Sequence, residues 1–201
     1  MTDHHLYVLL TDTGTWFTTL IKSFTAAPYN HASLALDPHL DRMYSFGRKH
    51  PDKPWSAGFV EEDVYGGTFR RFPDTRCALL RLRVSAGQRE RAIRVLRLFQ
   101  RDRQCYRYNL AGLLGVALNF DLKRKNAYFC SQFVADTLLR SGLALWDRPP
   151  SLVTPDDFLR HGAFEPVYEG RLYDYPLLDV QRLTGARRAA PASLRRTKQS
   201  V

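Results

Sequence analysis

The sequence predicts an α+β domain in which an antiparallel sheet packs against helices. Its 201 residues fit a single domain. Hydrophobic residues make up 44% of the chain, which is enough to build a core. After one helix near the start, strand-type segments form a central run and helix-type segments follow, so the two do not alternate as they do in a parallel α/β fold.

The first part of the chain predicts a strand, a helix and a hairpin. The strand covers residues 5–11, and large apolar residues at helical spacing predict a helix over 15–24. Two short strands follow at 31–37 and 42–48. The Asp-Pro pair between them is typical of a turn, so they should form an antiparallel hairpin.

The middle of the chain predicts three further strands and one long helix. The strands cover residues 57–63, 67–72 and 76–84, and the last of these alternates apolar residues with arginine. Ser85 and Gln88 then form a capping-box pattern, which marks the start of an Arg-rich helix. Its arginines are interpreted as a solvated face, and a patch that binds nucleic acid or another anionic surface is the alternative.

Two helices and a strand complete the prediction. The first helix carries Cys130 in its first turn and ends at Gly142. The second has Thr154 as its N-cap and Pro155 at its first position. A final strand covers residues 164–170.

Positive charge is concentrated at the C-terminus. The formal net charge is +10, and residues 181–201 contain six basic residues and no acidic ones. Subtracting these six leaves +4 for the rest of the chain. The segment also lacks apolar periodicity, so the sequence predicts a domain over 1–180 and a basic, disordered tail over 181–201.

Cysteine usage and hydropathy indicate a protein of a reducing compartment. The three cysteines are odd in number and contain no CxxC pair, which argues against a disulfide framework and a structural zinc site. No other metal or cofactor is expected, because no nucleotide-binding or ligand-spaced motif occurs. No signal peptide or run of about 18 apolar residues is present, so a cytoplasmic location is expected.

Cys130 is a candidate nucleophile because of its position. A thiol at a helix N-terminus lies near free N–H groups and the positive end of the helix dipole, and both favour the thiolate. The apolar stripe that follows places Cys130 on the protein-facing side of its helix. Filling the core is therefore the alternative role, since cysteine is among the most buried residue types.

His31 is the candidate base among six histidines. It opens an apolar strand, whereas the others lie near the N-terminus, in polar loops or at a helix end. A histidine on a strand is held rigidly, so its ring can be directed at a neighbouring helix. A purely structural role is the alternative.

Two short motifs, in a particular order, resemble a known family. "NHASLALD" begins at Asn30, and "FCSQFVADTLLRSGL" begins at Phe129. A histidine strand that precedes a cysteine helix resembles the circularly permuted papain-like hydrolases of the NlpC superfamily, in their YiiX-like and lecithin:retinol acyltransferase-like branch. The resemblance covers residues 5–170. It implies a permuted papain-like fold in which Cys130 and His31 are the catalytic pair.

The resemblance also implies a third polar residue on the strand after the histidine strand. Ser45 occupies the polar face of that strand and is the candidate for orienting the His31 ring. The family more often has a charged or imidazole side chain there. Glu61, on the next strand, is the alternative.

The implied activity is that of a cysteine hydrolase. Cys130 would form an acyl-thioester from an amide or ester of a peptide or lipid, with His31 as the base. The alternatives are a thiol-dependent lipid acyltransferase and a non-catalytic module that binds nucleic acid or anionic lipid through its basic surface. Nucleic acid is not expected as a partner, and the sequence leaves open whether the protein binds a membrane surface.

Overall fold

The computed structural model describes residues 4–13, 27–48, 57–109 and 125–183. Its strands are β1 (His4–Asp12), β2 (His31–Ala35), β3 (Met43–Arg48), β4 (Ala57–Glu62), β5 (Arg76–Val84), β6 (Arg107–Tyr108), β7 (Ala127–Tyr128) and β8 (Phe164–Arg171). Its helices are α1 (Gly67–Arg71), α2 (Ala86–Arg101), α3 (Cys130–Arg140) and α4 (Pro155–Arg160). Short 3-10 turns lie at Pro150–Leu152 and Leu172–Asp174.

Six of these strands form one antiparallel sheet. Its order is β4-β3-β2-β1-β5-β8, and β6 and β7 form a separate parallel pair. This arrangement, with helices packed on the sheet, confirms the α+β class that the sequence predicts. In the parts of the chain that the structure describes, no helix combines the length and apolar character needed to cross a bilayer.

Both faces of the sheet are covered at its centre, which explains the weak alternation of β1. One face packs against α2 and α3, and its core includes Leu6, Val8, Leu10, Phe46, Phe99 and Phe133. The other face packs against α1 and the segment after β8, and its core includes Leu9, Cys77, Leu79, Phe69 and Leu172. A strand buried on both sides has no polar face, so its residues read as a continuous apolar run.

Helix α2 begins where the sequence places it. The Ser85 hydroxyl accepts from the Gln88 N–H, and the Gln88 side chain accepts from the Ser85 N–H, which completes the capping box. Not all of its arginines form a solvated face. Arg89 donates to the Leu36 carbonyl and Arg91 donates to the Ser141 carbonyl, so these two side chains tie the helix to its neighbours.

One predicted strand and one predicted boundary differ from the structure. Residues 67–72 form helix α1 rather than a strand, since their two phenylalanines lie three residues apart and only Phe69 is buried in the core. A helical turn at 180–183 docks the first residues of the segment assigned to the tail. There Leu183 is buried, and the Arg182 guanidinium lies 3.8 Å from the centre of the Tyr65 ring. The predicted helix at 15–24 and residues 184–201 lie outside the described residues.

Candidate active site

Helix α3 presents Cys130 in its first turn. Phe129 is the N-cap, with extended backbone angles and no side-chain cap. The Phe133 N–H bonds the Phe129 carbonyl at 3.0 Å, which is the first hydrogen bond inside the helix. The N–H groups of Cys130 and Ser131 therefore have no acceptor within the helix; that of Ser131 helps to lower the pKa of the Cys130 thiol, and that of Cys130 is available to an anion.

The start of β2 is open towards α3. The ladder between β2 and β3 consists of two residue pairs, Leu34–Tyr44 and Ala35–Met43. Strand β2 begins three residues earlier, at His31, and helix α3 contacts both strands. Backbone groups near the start of β2 therefore need partners other than β3.

Two backbone groups next to His31 face the thiol instead. The Cys130 Sγ lies 3.9 Å from the Asn30 carbonyl oxygen, and the Ala32 N–H donates to the sulfur. Asn30 is fixed by β1, since its N–H bonds the Thr11 carbonyl at 3.2 Å and its amide Nδ2 bonds Asp12 Oδ1 at 2.9 Å. The thiol thus lies at a defined point on the edge of β2.

The His31 ring connects the thiol to a carboxylate. Its Nε2 lies 2.9 Å from Glu62 Oε1, and the ring is near enough to the Cys130 side chain for the two groups to shift each other's pKa. An imidazole has one hydrogen-bonding direction at each nitrogen, so Nδ1 is the atom left for the thiol. The His31 and Glu62 side chains are 23% and 14% exposed, and Cys130 is 3% exposed.

The Glu62 carboxylate is held by hydroxyl groups from two other strands. Ser33 Oγ on β2 donates to Oε2 at 2.5 Å, and Ser45 Oγ on β3 donates to Oε1 at 2.8 Å. Both serines are fully buried. With the bond to His31, three side chains from β2 and β3 therefore converge on one carboxylate of β4.

These contacts favour a thiolate next to an imidazolium. Burial by itself raises the pKa of Cys130, but the hydrogen bond and charge of His31, with the N–H groups of Ala32 and Ser131, lower the pKa below its ordinary value. Burial by itself lowers the pKa of His31, and the charge of Glu62 and the bond to the sulfur outweigh it and raise the pKa. Burial likewise raises the pKa of Glu62, and the charge of His31 and the three hydrogen bonds reverse this, so its pKa is lowered.

The structure brings Cys130 and His31 together, and it places the third residue differently from the sequence prediction. Ser45 bonds the carboxylate of Glu62, and it is Glu62 that bonds the His31 Nε2. Glu61 is exposed, and its carboxylate accepts from Gln100 of α2 on the opposite face of the sheet. The structure therefore places Glu62, and neither Ser45 nor Glu61, in contact with the His31 ring.

Strand parity could have identified Glu62. Tyr44 pairs with Glu61 and Phe46 with Phe59, so Glu61 lies on the core face that holds Phe59. Since Ser45 lies on the other face, its acidic neighbour on β4 has to be Glu62. Asn30 and Ser33 carry no comparable signal, because their partners lie on other strands, Asn30 on β1 and Ser33 on β4.

The remaining candidates lie outside this network. His39 bonds the Leu177 carbonyl and His161 bonds the Leu145 carbonyl. Cys77 is buried in the core cluster with Leu9 and Leu79, and Cys105 is exposed. Within the described ranges, no group of three or more His, Cys, Asp or Glu side chains is arranged to hold a metal ion.

The arrangement contains the groups needed for thiol chemistry on a carbonyl. It has a nucleophile, a base in contact with it, a carboxylate that fixes the base, and free N–H groups for a developing negative charge. Neither the protein-family models nor the curated proteins include a match to this chain.

Proposed function

We propose that the protein is a cysteine hydrolase that cleaves an amide or ester through an acyl-thioester on Cys130. One observation carries the proposal, namely that His31 acts on the Cys130 thiol, whose pKa it lowers, and places its Nε2 2.9 Å from Glu62 Oε1. A cysteine that only fills the core needs no such partners, and a nucleophile needs all of them.

The proposed reaction has two steps. His31 takes the thiol proton, the sulfur bonds the carbonyl carbon, and the free N–H groups at the start of α3 stabilise the oxyanion. As the bond to the leaving group breaks, His31 returns its proton to that group. Water, deprotonated by His31, then attacks the thioester, and the sulfur leaves as the thiolate that starts the next cycle.

The proposal includes a circularly permuted papain-like fold. The order of the site along the chain supports it, because the histidine strand β2 precedes the cysteine helix α3 and both belong to one sheet-and-helix layer. A cytoplasmic location and a peptide, amide or lipid substrate belong to the same proposal. The three free cysteines are compatible with a reducing compartment.

An activated ester tests the nucleophile directly. The full chain is mixed with p-nitrophenyl acetate, and intact-mass spectrometry follows the acetyl group. We expect one acetyl group on Cys130, with a burst of p-nitrophenol equal to the enzyme, and loss of both in Cys130→Ala. Cys77→Ala is the matched control and should keep the burst.

The same experiment separates the rival functions. Loss of the acetyl group to water supports a hydrolase, whereas transfer that occurs only after adding an amine or alcohol supports an acyltransferase. Absence of acetylation at Cys130 contradicts both. A binding module is the less supported rival, because Arg89 and Arg91 hold backbone carbonyls and Arg94 and Arg101 face acidic side chains.

A further inference from the structure

Two buried hydroxyl groups are committed to one carboxylate. Ser33 and Ser45 are both 0% exposed, and each donates its hydroxyl proton to a different oxygen of Glu62. They come from β2 and β3, close to the point where the ladder between these strands ends. The proposed reaction uses neither hydroxyl directly, so their arrangement calls for a separate explanation.

We propose that Ser33 and Ser45 are positioning residues that keep Glu62 ionised and directed at His31, so that the thiolate–imidazolium pair persists in mildly acidic solution. This inference rests on the proposed function, since it assigns the pH range of that same site. The serines act through Glu62, to which both hydroxyls donate.

The hydrogen bonds around Glu62 favour its ionised form. An ionised carboxylate accepts at both oxygens, and here Oε1 accepts from Ser45 and His31 while Oε2 accepts from Ser33. A proton on either oxygen makes that oxygen a donor, so the hydroxyl facing it has to turn and accept, and its own proton loses the carboxylate as an acceptor. Because the hydroxyls are buried, water cannot replace the lost partner, and protonation of Glu62 is opposed.

Apart from His31, the charged groups near Glu62 do not supply this effect. His31 of β2 faces the carboxylate directly, and Cys130 of α3 lies behind the ring. On β4 itself, Glu61 is exposed and points to the opposite face. Asp63 accepts from the Tyr65 N–H and lies near Arg182. Within the described residues, the groups that distinguish this carboxylate from an ordinary one are therefore the imidazole and the two hydroxyls.

The pH dependence of Cys130 alkylation tests the inference without a known substrate. Iodoacetamide rates are measured by site-resolved mass spectrometry from about pH 4 to about pH 9 for the full chain, Ser33→Ala, Ser45→Ala and the double variant. We expect the pH at which the alkylation rate falls on the acidic side of the profile to rise by about one unit for each hydroxyl removed, since protonated Glu62 no longer supports the imidazolium. Ser45→Thr, which keeps a hydroxyl, should restore that pH towards its original value.

Ser141→Ala is the matched control. Ser141 is also fully buried, and its hydroxyl donates to the Thr137 carbonyl at the far end of α3. This change should leave the profile in place. Glu62→Gln removes the titrating group, so adding Ser45→Ala to it should produce no further shift. The inference would be overturned if Ser45→Ala shifted the profile as much in Glu62→Gln as in the unchanged chain. An equal shift in Ser141→Ala would overturn it too, and both results would indicate a general loosening of the fold.

A second readout distinguishes failure of the inference from failure of the proposed function. NMR titration of the His31 Cε1–H should give a lower histidine pKa in Ser33→Ala and Ser45→Ala than in the unchanged chain. If Cys130 proves no more reactive than an ordinary thiol, the proposed function fails, and a fall in the His31 pKa still supports the positioning role of the serines. A fast Cys130 whose profile and His31 titration are both unmoved by the serine changes overturns that role and leaves the function standing.

Discussion

Cys77 and Cys130 are both buried thiols, and their surroundings act on them in opposite directions. Cys77 is fully buried in the core, where burial and the negative charge of Glu169 raise its pKa to about 12. Cys130 is nearly as buried, yet its pKa is lowered by His31 and by N–H groups that point at the sulfur. Burial alone therefore does not decide whether a thiol is reactive, and the polar groups buried with it do.

The first prediction sharpens this comparison in the unchanged protein. At pH 7 a thiol with a pKa of about 12 is ionised to about one part in 100,000. We expect iodoacetamide to label Cys130 at least about a thousandfold faster than Cys77, allowing for the weaker nucleophilicity of a low-pKa thiolate. Peptide-level mass spectrometry over a time course measures both sites at once, with exposed Cys105 as the internal reference. Equal rates at Cys77 and Cys130 would remove the distinction.

The second prediction abolishes the difference by removing the base. His31→Ala takes away the cation that stabilises the thiolate and leaves Cys130 as a buried thiol like Cys77. We expect the alkylation rate of Cys130, and any turnover, to fall on the order of a hundredfold or more. His161→Ala serves as the control, because that ring bonds the Leu145 carbonyl away from the thiol. A fast Cys130 in His31→Ala would mean that the helix N-terminus alone activates it.

The third prediction compares two neighbouring carboxylates on β4. Glu62→Gln removes the charge that supports the imidazolium, so Cys130 alkylation at pH 7 should fall about tenfold, the equivalent of one pKa unit. Glu61→Gln changes an exposed side chain bonded to Gln100 and should leave the rate unchanged. The reverse pattern would show that the strand register described for β3 and β4 is wrong.

The fourth and smallest effect concerns the C-terminal segment. Deleting residues 184–201 should change neither thiol's rate and should leave the melting temperature within a few degrees, as expected for a tail with few buried contacts. Deleting from residue 180 also removes the Arg182 contact with Tyr65 and the buried Leu183. That longer deletion should lower the melting temperature clearly, by differential scanning fluorimetry. A large drop in the shorter deletion would show that the tail also docks.

Local signals marked the two candidates, and the third residue required a register. Cys130 and His31 each open an element, so helix and strand patterns made them candidates, and the family resemblance joined them as a pair. Ser45 was placed correctly on the polar face of β3, but its partner depends on how β4 aligns with β3, which the residues between the strands do not fix. A one-residue error in that alignment exchanges Glu62 for Glu61, because successive side chains point to opposite faces.

The other differences have a similar origin. Helix α1 differs from the predicted strand because its five residues bury only Phe69, a signal too short to outweigh the run of strands around it. The docked turn at 180–183 depends on Tyr65, Asp41 and Asp63, which lie far away in the sequence. Charge counting along the chain could not separate Arg182 from the basic residues that follow it.

The site is assembled from parts that are distant in the chain, which links chemical reactivity to completion of folding. His31 and Glu62 are 31 positions apart, and the sulfur meets a carbonyl 100 positions away. A newly synthesised or unfolded chain would therefore carry three ordinary thiols, and the thiolate would form only once β2, β3, β4 and α3 are in place. The amount of Cys130 that is alkylated rapidly would then measure the number of native molecules in a mixture. An unfolded chain would carry an ordinary thiol at Cys130 and would not form the acyl-thioester.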